Sequence, residues 1–209
     1  LQMFFEVLFF TVAVWLSGFL GKNPQAANQI ALNLSSMTFM FAMGLGVTAM
    51  IRIGNQKGRK NIIRLRDIAQ SIFLLILIFD VIFCLIFLSL NQFLPWIYLD
   101  ENNPLEFNNV SEVVEIASTL LIISGFFQIS DGLQAVILGA LRGLQDVNIP
   151  ALITFFSYGI FGIPISYLLG ICSDLGASGI WIGLLSGLTA SALLLFTRFR
   201  YLTNKLKFD

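Results

Sequence analysis

The chain has 209 residues, 57% of them hydrophobic and only 11% charged, with a mean hydropathy of +0.86 and twelve basic residues balancing twelve acidic ones. Soluble domains carry about 25% charged residues, so this composition excludes an ordinary water-soluble globule and points to lipid as the solvent. Zero net charge gives no ground for nucleic-acid binding, and the absence of His removes a side chain that membrane metalloenzymes rely on.

A bilayer core of about 30 Å needs roughly 20 apolar residues per helix, with every backbone group bonded internally. Six segments meet that requirement. The first predicted helix covers residues 1–20 and carries Glu6. Leu1 is not an initiator, and the chain opens inside an apolar run with no signal-peptide pattern, so upstream residues are expected. The second covers 26–51, with Gln29, Asn33 and Ser36 near its start and Gly44 and Gly46 near its end. The third, 68–90, is the most apolar and surrounds Asp80 with no polar companion at helical spacing, so a structural or peripheral place is expected for that acid.

The fourth predicted helix, 113–141, carries Ser124, Gln128, Asp131 and Gln134 at spacings of four, three and three, which puts them on one face. The fifth, 149–171, holds Pro164 in its interior, where a missing N–H and a steric clash predict a kink. The sixth, 177–199, spaces Gly179, Gly183 and Gly187 four apart, a face suited to close helix packing. Membrane strands would show period-2 alternation over about ten residues, and these runs do not. Cys84 and Cys172 sit singly in apolar runs and read as small buried hydrophobes rather than as ligands or a disulfide pair. With no linker or low-complexity segment, residues 1–209 are read as one all-α, six-helix membrane bundle.

Loop charge gives the orientation. Arg52, Lys57, Arg59, Lys60, Arg64, Arg66, Arg142, Arg198, Arg200, Lys205 and Lys207 fall on one side, and only Lys22 falls on the other. Both ends of the chain are therefore expected in the cytoplasm of a multi-pass inner (plasma) membrane protein. The outer loop Asn91–Glu115 carries Asp100, Glu101, Glu106, Glu112 and Glu115. The run from Gly58 to Arg66 reads as the start of a helix beside anionic lipid.

Three acids lie inside apolar spans, where a charge costs on the order of 2.5–3.5 kcal/mol on insertion scales. Glu6 is fifteen residues from the outer end of its helix near Gly21, and Asp131 is fourteen from the outer end of its own near Ala117. At about 1.5 Å per residue both lie roughly 21–22 Å below the outer surface. Two carboxylates at one depth could share a cation, a proton or a cationic substrate. The Ser124–Gln128–Asp131–Gln134 stripe is expected to line a cavity or a helix interface, and Gln29 and Asn33 carry the same two alternatives. No GxSxG, HExxH or P-loop pattern occurs, so no enzyme is expected.

The run Phe126-Phe127-Gln128-Ile129-Ser130-Asp131-Gly132-Leu133-Gln134, followed by Gly139-Ala140-Leu141-Arg142-Gly143, Asp146 and Pro150, resembles the fourth-helix signature in the C-terminal half of multidrug and toxic compound extrusion (MATE) transporters. Ala26–Ala31 resembles the start of that half's second helix, Gly44–Gly54 its cytoplasmic end, and Gln2–Glu6 the opening of its acid-bearing first helix. The resemblance implies a twelve-helix transporter of two six-helix lobes, of which this chain is the second and an N-terminal lobe the partner. It implies export of small cationic or amphiphilic compounds by alternating access, driven by inward Na⁺ or H⁺ flow, with no other cofactor. It also implies that Glu6 and Asp131 are the acids of the cation site. Some members carry a tyrosine where this chain has Phe127, which removes one hydroxyl ligand. A flippase of lipid-linked saccharides, from the wider superfamily, would call for a more basic cavity than these acids provide. A membrane scaffold would leave the buried acids without a purpose.

Overall fold

A computed structural model describes residues 2–99 and 110–206, with side chains from Phe4 onward. Asp100, Glu101, Glu106 and Lys207 lie outside the described residues. Helix α1 spans Gln2–Phe19, α2 Lys22–Gly58, α3 Ile62–Leu90 and α4 Val110–Gly143. Helix α5 spans Asn148–Phe156 and runs through a π turn at Ser157–Gly162 into α6, Ile163–Gly170; α7 spans Gly176–Lys205. No strand occurs among the described residues. Five of the spans, counting Asn148–Gly170 as one, are long and apolar enough to cross a membrane, and α1 is a shorter apolar helix.

The helices outrun their apolar stretches. Helix α2 continues through Arg52 and Lys57 to Gly58, and α7 continues through Arg198 and Arg200 to Lys205. Lys and Arg are good helix formers, so hydropathy marks where a span leaves lipid rather than where the helix stops. The expected loop between α2 and α3 shrinks to residues 59–61, and Asn61 caps α3 by accepting from the Arg64 amide at 3.0 Å. Helix α4 starts early enough to take in Glu112 and Glu115, both expected in the outer loop; Asn23 on α2 donates to Glu112 at 2.7 Å.

Helix α4 runs up the middle, packed against α2, α3 and α7. Its closest partner is α2, and the crossing depends on hydrogen in place of a side chain. A Cβ on Gly139 would overlap the backbone of Gly46, and one on Gly143 would come to 2.6 Å from the Met50 carbonyl oxygen. On α7 the expected small-residue face meets the fifth span: a Cβ on Gly183 would overlap Ser166, and one on Gly187 would lie 2.9 Å from the Gly162 Cα. The expected kink at Pro164 takes the form of the π turn, with its i→i+5 bonding, placed just before the residue that lacks an N–H.

The buried apolar residues form two cores rather than one. The first, towards the α1–α2 turn, gathers Phe9, Ala13, Leu16, Leu34, Leu121, Phe127, Tyr158 and Trp181 among others. The second, towards the α2–α3 turn, gathers Ala42, Ile53, Leu65, Ile76, Leu141, Leu195 and Phe199 among others. Between them α2, α3, α4, the fifth span and α7 contribute buried polar side chains: Ser35, Asp80, Gln128, Asp131, Gln134, Ser157 and Ser191. Cys84 is buried as expected, whereas Cys172 is exposed in the turn after α6.

One polar link lies inside the first core. The Trp181 indole N–H donates to Asn28 Oδ1 at 2.9 Å, with both residues fully buried. Trp181→Phe keeps most of the ring volume and strands that oxygen, which should cost about 1–3 kcal/mol. A lower apparent unfolding temperature of the purified protein in micelles checks this.

Candidate functional site

The polar seam between the two cores is where the site lies. Glu6 sits on α1 one turn before Phe9, and it is half-buried. Phe9 is fixed by a stacked contact with Tyr158 of the π turn, ring centroids 4.4 Å apart and planes 6° from parallel. The same ring fills the space left by Gly162 and Gly187, so α1 is held against the fifth and sixth spans just above its acid. On α4, Asp131 is 6% exposed, and Phe127 one turn away packs edge-on to Trp181 at 5.3 Å.

A cavity of about 420 Å³ opens between α1, α2 and α4, lined by Glu6, Asn33, Ser36, Phe10, Phe39, Met43, Phe127 and Asp131 among others. The two acids placed at one depth by residue counting therefore face one space, and they are close enough to interact electrostatically. Arg142, in the last turn of α4, lies within electrostatic reach of Glu6. The cavity combines carboxyl oxygens with aromatic rings and a methionine. Such a lining can hold a cation through charge and ring faces, and an apolar body through dispersion.

The expected stripe on α4 divides. Of its four residues Asp131 lines the cavity, beside Phe127, while Ser124, Gln128 and Gln134 are buried at helix interfaces behind it. Ser124 and Ser35 share a hydrogen bond of 2.6 Å, which ties α4 to α2. Gln134 donates from Nε2 to the Tyr158 hydroxyl, which ties α4 to the π turn. Both atoms of the Gln128 amide are buried without a hydrogen-bond partner among the described residues. Asn33 lines the cavity, and Gln29, one turn away, is exposed and outside it. The amide that α2 buries at that level is Asn28, because the helix turns Ala27, Asn28 and Ala31 towards its neighbours and leaves Gln29 facing out.

Of the two places expected for Asp80, structural or peripheral, the structure excludes the second. Asp80 is 5% exposed, its carboxylate lies against α4 at Gly132, and it shares a small cavity with Asp131 and Gln128. Its companions come from α2 and α4, so spacing along its own helix could not reveal them. The signal available in the sequence was Gly132, the missing side chain beside Asp131. Tyr158 was missed for the same reason; it reaches the seam from the fifth span and lies within electrostatic reach of Glu6 and Asp131. Among the described residues no group of three or more His, Cys, Asp or Glu is disposed to hold a metal ion.

A family model described as MatE matches residues 1–168. The multidrug resistance protein MdtK of Proteus mirabilis is 38% identical over 205 residues, covering 95% of this chain and 42% of that protein. A probable multidrug resistance protein NorM of Agrobacterium fabrum is 36% identical over 205 residues, covering 96% of this chain and 42% of that protein. The crystal structure of the eukaryotic MATE transporter AtDTX14 has the same fold, with a TM-score of 0.80 at 24% identity, over 96% of this chain and 43% of that one. The chain thus spans under half the length of the proteins it matches.

Proposed function

Because the chain belongs to the MatE family, whose MATE transporters its sequence resembles, we propose that it forms one six-helix lobe of an antiporter exporting organic cations or amphiphilic compounds in exchange for Na⁺ or H⁺. The observation that carries this reading is the shared cavity: Glu6 and Asp131, from two helices, face one space walled by Phe10, Phe39, Met43 and Phe127. No enzymatic step is required. Charge in a poorly solvated cavity is strong enough to bind cargo, and a carboxylate withdrawn from water favours a cation or a proton as its companion. Cargo and coupling ion would compete for the negative charge of Asp131 and Glu6. Exchange then follows if the cavity faces one side of the membrane in one conformation and the other side in the next.

On this reading the second lobe is a further six-helix unit of the same protein, and transport proceeds by rocking of the two lobes around the cavity. The basic ends of α2, α3 and α7 face the cytoplasm, in an inner or plasma membrane. The test is ethidium efflux from vesicles containing the full-length protein, under an imposed Na⁺ or H⁺ gradient. Efflux is expected under one gradient and should stop when that gradient is collapsed. No efflux under either, with the protein shown to be inserted, would favour a flippase of lipid-linked saccharides instead.

A further inference from the structure

We propose that Asp80 of α3 completes, with Asp131 and Gln128 of α4, a second position for one small monovalent cation, more deeply buried than the cavity shared by Glu6 and Asp131. The inference rests on the antiport reading and adds a residue and a position to it. Asp80, Gln128 and Asp131 are 5%, 4% and 6% exposed and line one cavity of about 10 Å³, close to the space that a single water-sized body needs.

Asp131 borders both spaces. Glu6 borders only the larger, and Asp80 and Gln128 only the smaller. Among the residues that line the smaller one, Asp80 Oδ2, Asp131 Oδ1 and both polar atoms of Gln128 have no hydrogen-bond partner among the described residues. Buried polar atoms are nearly always satisfied, so a cluster of unsatisfied ones marks a place built for something. The three oxygens offered there, together with the Thr38 hydroxyl that also lines the space, form the oxygen-only donor set that hard cations take. The sequence keeps the room open: any side chain at Gly132 would overlap the Asp80 carboxylate.

Size then separates the two ligands of an antiporter. An organic cation fits the larger cavity and cannot enter the smaller. A bare sodium ion or a proton can enter both. Cargo and coupling ion would thus occupy adjacent positions and compete through the one carboxylate, Asp131, that faces both.

The test uses the full-length protein in nanodiscs. Binding of ²²Na⁺ is measured at fixed pH, proton uptake is measured with a pH dye without Na⁺, and ethidium affinity is measured without added Na⁺. In Asp80→Asn the half-saturating Na⁺ concentration is expected to rise about tenfold or more, or, if the proton is the ion, proton uptake per protein is expected to fall. Ethidium affinity should stay near wild type, because Asp80 does not border the larger cavity. Wild-type cation binding in Asp80→Asn, alongside its loss in Asp131→Asn, would overturn the inner position and leave the antiport reading standing. Wild-type binding in Asp131→Asn would remove both. Equal losses of cation and ethidium binding in Asp80→Asn would mark it as structural and overturn the inner position. Should Asp80→Asn fail to fold, Gln128→Leu is judged by the same outcomes.

Discussion

Asp131→Asn should reduce gradient-driven ethidium efflux to the background of vesicles without the protein, while leaving the protein inserted and folded. The substitution is nearly isosteric, so the packing of α4 against α2 and α3 keeps its shape. Only the charge is lost, and it is the charge that borders both the large cavity and the small one. A neutral amide still offers an oxygen, but it gives no net attraction to a cation. A loss of 1.4 kcal/mol of cation affinity would already lower occupancy about tenfold below saturation, and a buried carboxylate should be worth more. The measurement is initial efflux rate per inserted protein, with insertion checked by surface labelling of the exposed Cys172. Efflux at the wild-type rate in inserted protein would sink the assignment of Asp131.

The second large effect concerns architecture. Gly139→Leu should destabilise the bundle severely, and Gly44→Leu should be close to silent. Both glycines belong to the stretches that carry the family resemblance, so sequence alone treats them alike. The structure separates them: a Cβ at Gly139 overlaps the Gly46 backbone, whereas one at Gly44 meets nothing within 4 Å. Backbone cannot swing aside as a side chain can, so α2 and α4 must move apart. The cost should reach about 3 kcal/mol or more, the upper range for overpacking. The thermal midpoint of monodisperse protein by size-exclusion chromatography reads this directly. Equal midpoints for the two variants would mean that the α2–α4 crossing is looser than described.

What the sequence made legible follows from how each signal is written. Hydropathy is local, so the six spans could be read one by one, and their order and number match the helices apart from extended ends. Depth is also local, since it depends only on residue counts from each helix end; that is why Glu6 and Asp131 could be paired before any contact was known. Rotation about the helix axis is partly local, and the stripe on α4 was placed on an inward face. Which neighbour that face meets is not local. Ser124, Gln128 and Gln134 turned out to point at three different partners: Ser35, the Asp80 pocket and Tyr158. Asp80 shows the same limit in its strongest form, since the groups that share its small cavity come from α2 and α4. Gln29 lies one residue from the amide that α2 buries, and a step of 100° separates the buried Asn28 from its exposed neighbour.

The π turn at Ser157–Gly162 has a bearing on how the fifth span is phased. A helix that must satisfy two neighbours along its length needs the azimuth of its lower contacts to agree with that of its upper ones. Here Tyr158 has to meet Phe9 and Gln134, while eight residues on Ser166 has to lie under Gly183 and donate to the Ile180 carbonyl. A turn that holds about one residue more than an α-turn resets the angle between those two demands. The span therefore works as two short rods joined by a phase shifter, and its halves can be adjusted in sequence independently. Tyr158, in the joint itself, answers to Phe9 and Gln134, and the half that carries Ser166 answers to α7 and α1.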